Sequence, residues 1–213
     1  MKKLLVGVII LAVVIFFGYK FMMQATDLGV KGDATLIKSF KERNGMSLEP
    51  SDKKINLDVT MTSEEITSVF TVWEEKDKSF PLRNVQIKFN PDGTAEASGY
   101  LKISNAILLA KNLGYSDSDI EKGKNYIKYV AGDLPFYVKG TAEMINNKIT
   151  MNSASFQIAK ISVPDNIVSP ASSLVSDMIS RRINQIGGAD IKEASFKNGV
   201  FKLQGSIPET IKY

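Results

Sequence analysis

The apolar positions of this chain change their period several times, and each change marks an element. Residues Leu4 to Tyr19 form a charge-free apolar run, which Phe21, Met22 and Met23 extend past Lys20. At ~1.5 Å rise per residue, about twenty residues cover ~30 Å, the hydrocarbon thickness of a bilayer. The run therefore predicts a transmembrane anchor over 1–24. A cleaved signal peptide is the competing reading, but Met23 is a bulky residue where processing favours a small one. Lys2 and Lys3 precede the run and Asp27 follows it, so the expected topology is single-pass at the cell membrane, with the N-terminus cytoplasmic and the domain outside.

Residues 25–54 read as a connector with one short helix, in which Asp33 caps a segment carrying Leu36, Ile37 and Phe40. Residues 55–213 read as one antiparallel α+β domain. Ile55, Leu57, Val59 and Met61 alternate with polar residues at the period of a strand. Thr62 and Glu65 then form a capping-box pattern ahead of Ile66, Val69, Phe70 and Trp73 at helical spacing. Three hairpins follow. The first turns at Asn90-Pro91-Asp92-Gly93, the second at Asn146-Asn147 and the third at Asn198-Gly199, residue types that tolerate positive φ. In the first, the return strand carries Ala95, Ala97 and Gly99, small residues that predict something bulky packed over them. A phase shift between Ser153 and Phe156 predicts a β-bulge.

Two helical regions separate the hairpins. Asn105 to Ala131 reads as two pieces, and Ser169-Pro170 predicts the start of a helix whose stripe is Leu174, Val175, Met178, Ile179, Ile183 and Ile186. The order hairpin, helical insert, hairpin, helix, hairpin predicts antiparallel β-hairpins wrapped around amphipathic helices, rather than βαβ units.

Composition narrows the chemistry. Cysteine and histidine are both absent. Thiol chemistry is thereby removed, and so are zinc hydrolases and Ser-His-Asp triads. Three of the 27 basic residues (Lys2, Lys3 and Lys20) lie in the first twenty positions, leaving 24 against 23 acids. That balance offers no basic stripe for nucleic acid. Glu64-Glu65 and Glu74-Glu75 are adjacent on a helix, so they point about 100° apart and cannot share a proton. Asp117, Asp119 and Glu121 lack the glycine and terminal glutamate of a calcium loop and read as helix-start acids. Ser169, Ser172 and Ser173 with Lys160 lack the motif of a serine–lysine nucleophile. No cofactor is expected, and the chain reads as non-catalytic.

The run Lys160-Ile161-Ser162-Val163-Pro164, the helix after it, and Asn198-Gly199-Val200-Phe201 through Ile207-Pro208 resemble small bacterial membrane-anchored proteins of the tubular lipid-binding (TULIP-like) type. Thr62 to Thr67 followed by Asn84 to Gly93 resembles uncharacterised single-span bacterial proteins with the same layout. The likeness spans Ile55 to Pro208 and implies an extracytoplasmic module that binds a lipid or other apolar ligand at the cell envelope. It supplies no ligand signature. From the strand faces and the helix stripe, an apolar groove would be lined by Phe136, Val138, Leu174, Met178, Phe201 and Leu203. The alternative is a structural or interaction protein of the envelope with a solid core, whose partner is another envelope protein.

Overall fold

The structure, a computed structural model, describes residues 20–46, 54–118, 120–121 and 132–208. In chain order its elements are α1 (Ala34–Arg43), β1 (Lys54–Met61), α2 (Ser63–Lys76), β2 (Leu82–Phe89), β3 (Ala95–Leu101), α3 (Ile103–Asn112), β4 (Leu134–Ile145), β5 (Lys148–Ile158), β6 (Ile161–Ser162), α4 (Asp165–Gln185), β7 (Asp190–Lys197) and β8 (Val200–Pro208). The strands make one sheet in the order β1-β8-β7-β4-β3-β2, with β5 also on β4 and β6 on β5. Every pairing is antiparallel. The α+β class and the three hairpins are as the sequence pattern predicts.

Strand β4 is the spine. One of its edges carries β5, paired from Phe136 to Ile145, and the other is shared end to end. Residues Leu134–Gly140 pair with β3, and Glu143–Ile145 pair with β7. The hairpins β2–β3 and β7–β8 therefore meet tip to tip. At their junction the rings of Phe89 and Phe196 stack at 5.2 Å, and those of Phe89 and Phe201 at 6.0 Å.

Each hairpin contains a bulge, and a glycine stands opposite each one. The predicted irregularity after Ser153 is present: Lys139 pairs with Ser155 and Gly140 with Ser153. A Cβ at Gly140 would lie 2.9 Å from the Ser153 Cα and closer still to the Asn152 carbonyl. Gly205, at φ +149°, stands against the β7 bulge, where a Cβ would come within 2.8 Å of the Ile191 Cα. The same arrangement recurs at Gly99 against the β2 bulge, where the missing side chain accommodates neighbouring backbone. Bulges bend a strand and increase its twist, which coils the sheet.

The core lies on one face of the sheet. Phe40, Leu57, Val59 and Met61 are buried together, with Ile66, Val69, Phe201, Leu203 and Ile207 packed on them. Asp33 caps α1 through Thr35 N–H, and the Thr62–Glu65 capping box forms as the sequence predicts. Arg43 of α1 pairs with the buried Glu65 at 2.9 Å, tying α1 to the start of α2.

Two expectations are corrected. No helix among the described residues is long and apolar enough to cross a membrane. This overturns the transmembrane helix, the single-pass topology, the cytoplasmic N-terminus and the cell-membrane placement of the domain. Residues 1–19 of the expected anchor lie outside the described residues. Of its last residues, Phe21 is 62% exposed with the Lys160 ammonium 3.4 Å from its ring centre, and just past it Ala25 N–H donates to Tyr100 Oη at 3.1 Å. The second correction concerns α4, which starts at Asp165 rather than at Ser169-Pro170. Pro164 already fixes the backbone at φ −59°, and the earlier start places Val168 in the core at 7% exposure. The second helical piece expected before Ala131 falls mostly outside the described residues.

Replacing Gly140 or Gly205 with alanine forces a methyl group into neighbouring backbone, an overpacking that costs ~1–3 kcal/mol. Calorimetry should show Tm falling by roughly 2–4 °C per kcal/mol for either variant. Gly187→Ala, where a Cβ meets open space, should leave Tm unchanged.

Candidate functional site

The six residues expected to line an apolar groove are spread over β4, α4 and β8. Phe201 and Leu203 join the buried cluster under α1 and α2. Phe136 and Val138 lie further along the sheet, paired with Ile158 and Phe156 of β5. Met178 is half-buried on α4, and the side chain of Leu174 lies outside the described residues. Nor does the structure bring Lys160 to the serines: its ammonium covers Phe21, while Ser172 shares a 2.8 Å hydrogen bond with Ser153.

Two clefts are open to solvent. The larger, about 470 Å³, lies between α4 and the β4–β5 turn. Its walls include Ser173, Ser176, Asp177, Ser180, Arg181 and Asn184 of α4, and its apolar floor is Ile149 and Met151. The turn closing one end is held from behind. Asn146 and Asn147 adopt positive φ, and the Asn147 amide accepts from Ile191 N–H at 2.6 Å while donating to the Ala189 carbonyl at 3.2 Å. The helix is pinned by Ser180, whose Oγ accepts from Ile149 N–H at 3.1 Å. Asp177 accepts from Tyr115 Oη and from Arg181 Nε, and the Arg181 guanidinium lies over the Tyr115 ring. The Tyr115 phenol above all holds the Asp177 carboxyl below its usual range; burial opposes it, and the bond and charge of Arg181 add to the lowering.

The sequence reading did not identify this stripe. Its signal is there in retrospect: Ser173, Ser176, Ser180 and Asn184 recur at three- and four-residue spacing beside the apolar stripe, which an amphipathic reading assigns to solvent.

The second cleft, about 340 Å³, lies under the N-terminal connector on the sheet face opposite the core. Thr26, Asp27 and Leu28 cover Lys88, Glu96, Tyr137 and Gln157. Leu28 N–H donates to Gln86 Oε1 at 2.7 Å, and Tyr137 Oη donates to Glu96 at 2.8 Å. Burial, reinforced by that bond and the Glu96 charge, pushes the Tyr137 phenol up to about 12. Glu96 is held low: burial opposes its ionisation, but the bonds from Tyr137 and Asn90 outweigh burial. Ser98, 1% exposed, is paired with Tyr137 and Gln86 across the sheet, and its Oγ has no hydrogen-bond partner.

The fold and these surfaces define an antiparallel α+β domain with open clefts. The chain matches no protein-family model and no curated protein.

A phenol whose pKa is raised on folding stabilises the native state fully below the ordinary tyrosine value of ~10, and that contribution is lost as pH rises toward the folded value. NMR titration of the ring carbons should place Tyr137 ionisation near 12. Glu96→Gln should bring the midpoint back toward ~10, because it removes the charge that opposes the phenolate.

Proposed function

We propose that this chain is a non-catalytic interaction module, with its interior filled by its own side chains and its partners met at the surface. One observation carries the reading: Phe201 and Leu203, central to any apolar groove, are packed against Phe40, Leu57, Val59 and Met61. The mainly polar lining of the smaller cleft supports it, as does the presence of Ile149 and Met151 as the apolar side chains of the larger one, since an acyl chain needs a continuous apolar wall. The absence of histidine and cysteine, together with the separation of Lys160 from Ser172, supports the non-catalytic part.

The lipid-binding module implied by the TULIP-like resemblance makes the opposite prediction for the same side chains. Organic extraction and mass spectrometry of the purified full chain should recover no stoichiometric lipid. Leu203→Trp should lower Tm, since added bulk in a packed core costs ~1–3 kcal/mol. A co-purifying lipid, or a Leu203→Trp variant that keeps its Tm and loses uptake of a fluorescent fatty acid, would contradict the filled interior.

A further inference from the structure

We propose that two copies of this chain pair through the outer edge of β1, antiparallel about a two-fold axis at Asn56, so that their sheets join into one. The hydrogen-bonding phase of β8 fixes which backbone groups β1 turns outward. Lys197 and Val200 flank the two-residue turn at Asn198-Gly199 and so bond each other. Bonding alternates along an antiparallel strand, so Lys202, Gln204 and Ser206 turn their N–H and C=O groups to β7, and the residues between them turn theirs to β1. The register of β1 on β8 runs without a shift from Lys54 opposite Pro208 to Met61 opposite Phe201. The N–H and C=O groups of Lys54, Asn56, Asp58 and Thr60 therefore point away from β8. Two observations agree: Pro208, which has no N–H, stands opposite Lys54, and the Thr60 carbonyl accepts from Arg43 Nη2 at 3.3 Å.

The other long edges are covered. Hydroxyls of Ser63 and Thr67 meet β2, while β6 and the Ser180 hydroxyl meet β5. On β1 the Arg43 bond takes the Thr60 carbonyl, and among the described residues nothing partners the outward backbone groups of Lys54, Asn56 and Asp58. A row of this kind is a template for another strand.

The side chains select a second copy as that strand. Lys54, Asn56 and Asp58 are exposed on one face of β1, with the two opposite charges placed symmetrically about Asn56. An antiparallel strand with Asn56 opposite Asn56 brings Lys54 of each copy opposite Asp58 of the other, and the half-buried Ile55 opposite Leu57 on the core face. The same register makes these outward residues the bonded pairs, each donating one N–H and accepting at one carbonyl. Centring the axis on Lys54 or on Asp58 sets like charges opposite each other, which destabilises the pair. Arg43 stays clear, because Thr60 falls beyond the paired stretch. A contact that uses the same patch on both copies closes as a dimer, so the edge is consumed rather than extended into a fibre. The inference rests on the surface-interaction reading and names its partner as a second copy of this chain.

The experiment is sedimentation equilibrium of the full chain, which should show a dimer with Kd on the order of 100 µM or tighter. Asp58→Lys sets lysines opposite one another and should weaken the dimer by about ten-fold or more with Tm unchanged. Adding Lys54→Asp to it reverses both pairs and should restore the parent Kd. The chain has no cysteine, so Asn56→Cys puts one thiol on the axis and should cross-link on mild oxidation, whereas Thr60→Cys should not. A chain still monomeric at about 1 mM, an Asp58→Lys variant that dimerises like the parent, or a charge swap that restores nothing would overturn the proposal. So would Thr60→Cys cross-linking as fast as Asn56→Cys. Lipid recovered by extraction would fail the filled interior and leave these results unmoved, whereas a monomer fails the edge pairing alone.

Discussion

The fold closes through the hydroxyl of Thr67. In strand order β2 stands at one end of the sheet and β1 at the other, yet α2 touches both. On one side Ile66 and Val69 enter the core beneath β1 and β8. On the other, Thr67 Oγ1 accepts from Ile87 N–H at 3.0 Å and donates to the Ile87 carbonyl at 3.3 Å, and Ser63 Oγ accepts from Phe89 N–H at 2.9 Å. With Glu74, which accepts from Asn84 N–H at 2.7 Å, three side chains of α2 thus supply partners that a further strand would otherwise give to β2. An edge strand's unpaired backbone groups are both an energetic cost and a template for aggregation, so their coverage stabilises the sheet.

The same device operates on β5, where Ser180 of α4 meets Ile149 N–H and Ser172 meets Ser153. Both helices face a strand edge, and an edge demands hydroxyls rather than methyls. Ser180, which holds α4 to β5, belongs to the same stripe that lines the opening. The coiling produced by the bulges at Gly99, Gly140 and Gly205 brings Phe89, Phe196 and Phe201 together and directs the apolar side chains of β1 and β8 onto α1 and α2.

Local signals in the sequence were reliable wherever the interaction is local. The Asn146-Asn147 and Asn198-Gly199 turns, the Thr62–Glu65 capping box, the Asp33 cap and the bulge after Ser153 depend on residues a few positions apart, and all are present. Periodicity failed where a helix meets a strand edge. The spacing marks Ile66, Val69, Phe70 and Trp73, of which Ile66 and Val69 pack on the core, but Ser68 and Thr67 are the most buried residues of that helix, at 0% and 2%, and Trp73 is 38% exposed. Ser68 disappears because its hydroxyl accepts from Asp33 N–H while donating to the Glu64 carbonyl. Such burial depends on partners 20 and 35 residues away, which no period records.

The most direct test of this account is the substitution Thr67→Val, which keeps the shape of the side chain and removes both of its bonds to Ile87. Leaving buried backbone groups unpartnered costs ~1–3 kcal/mol each. Denaturant unfolding should therefore show Thr67→Val less stable by at least about 2 kcal/mol, with Thr67→Ser close to the parent. The Ile87 amide should also lose its protection from hydrogen exchange in the valine variant. A valine variant as stable as the parent, with Ile87 still protected, would show that the sheet closes without the Thr67 hydroxyl and would contradict the account.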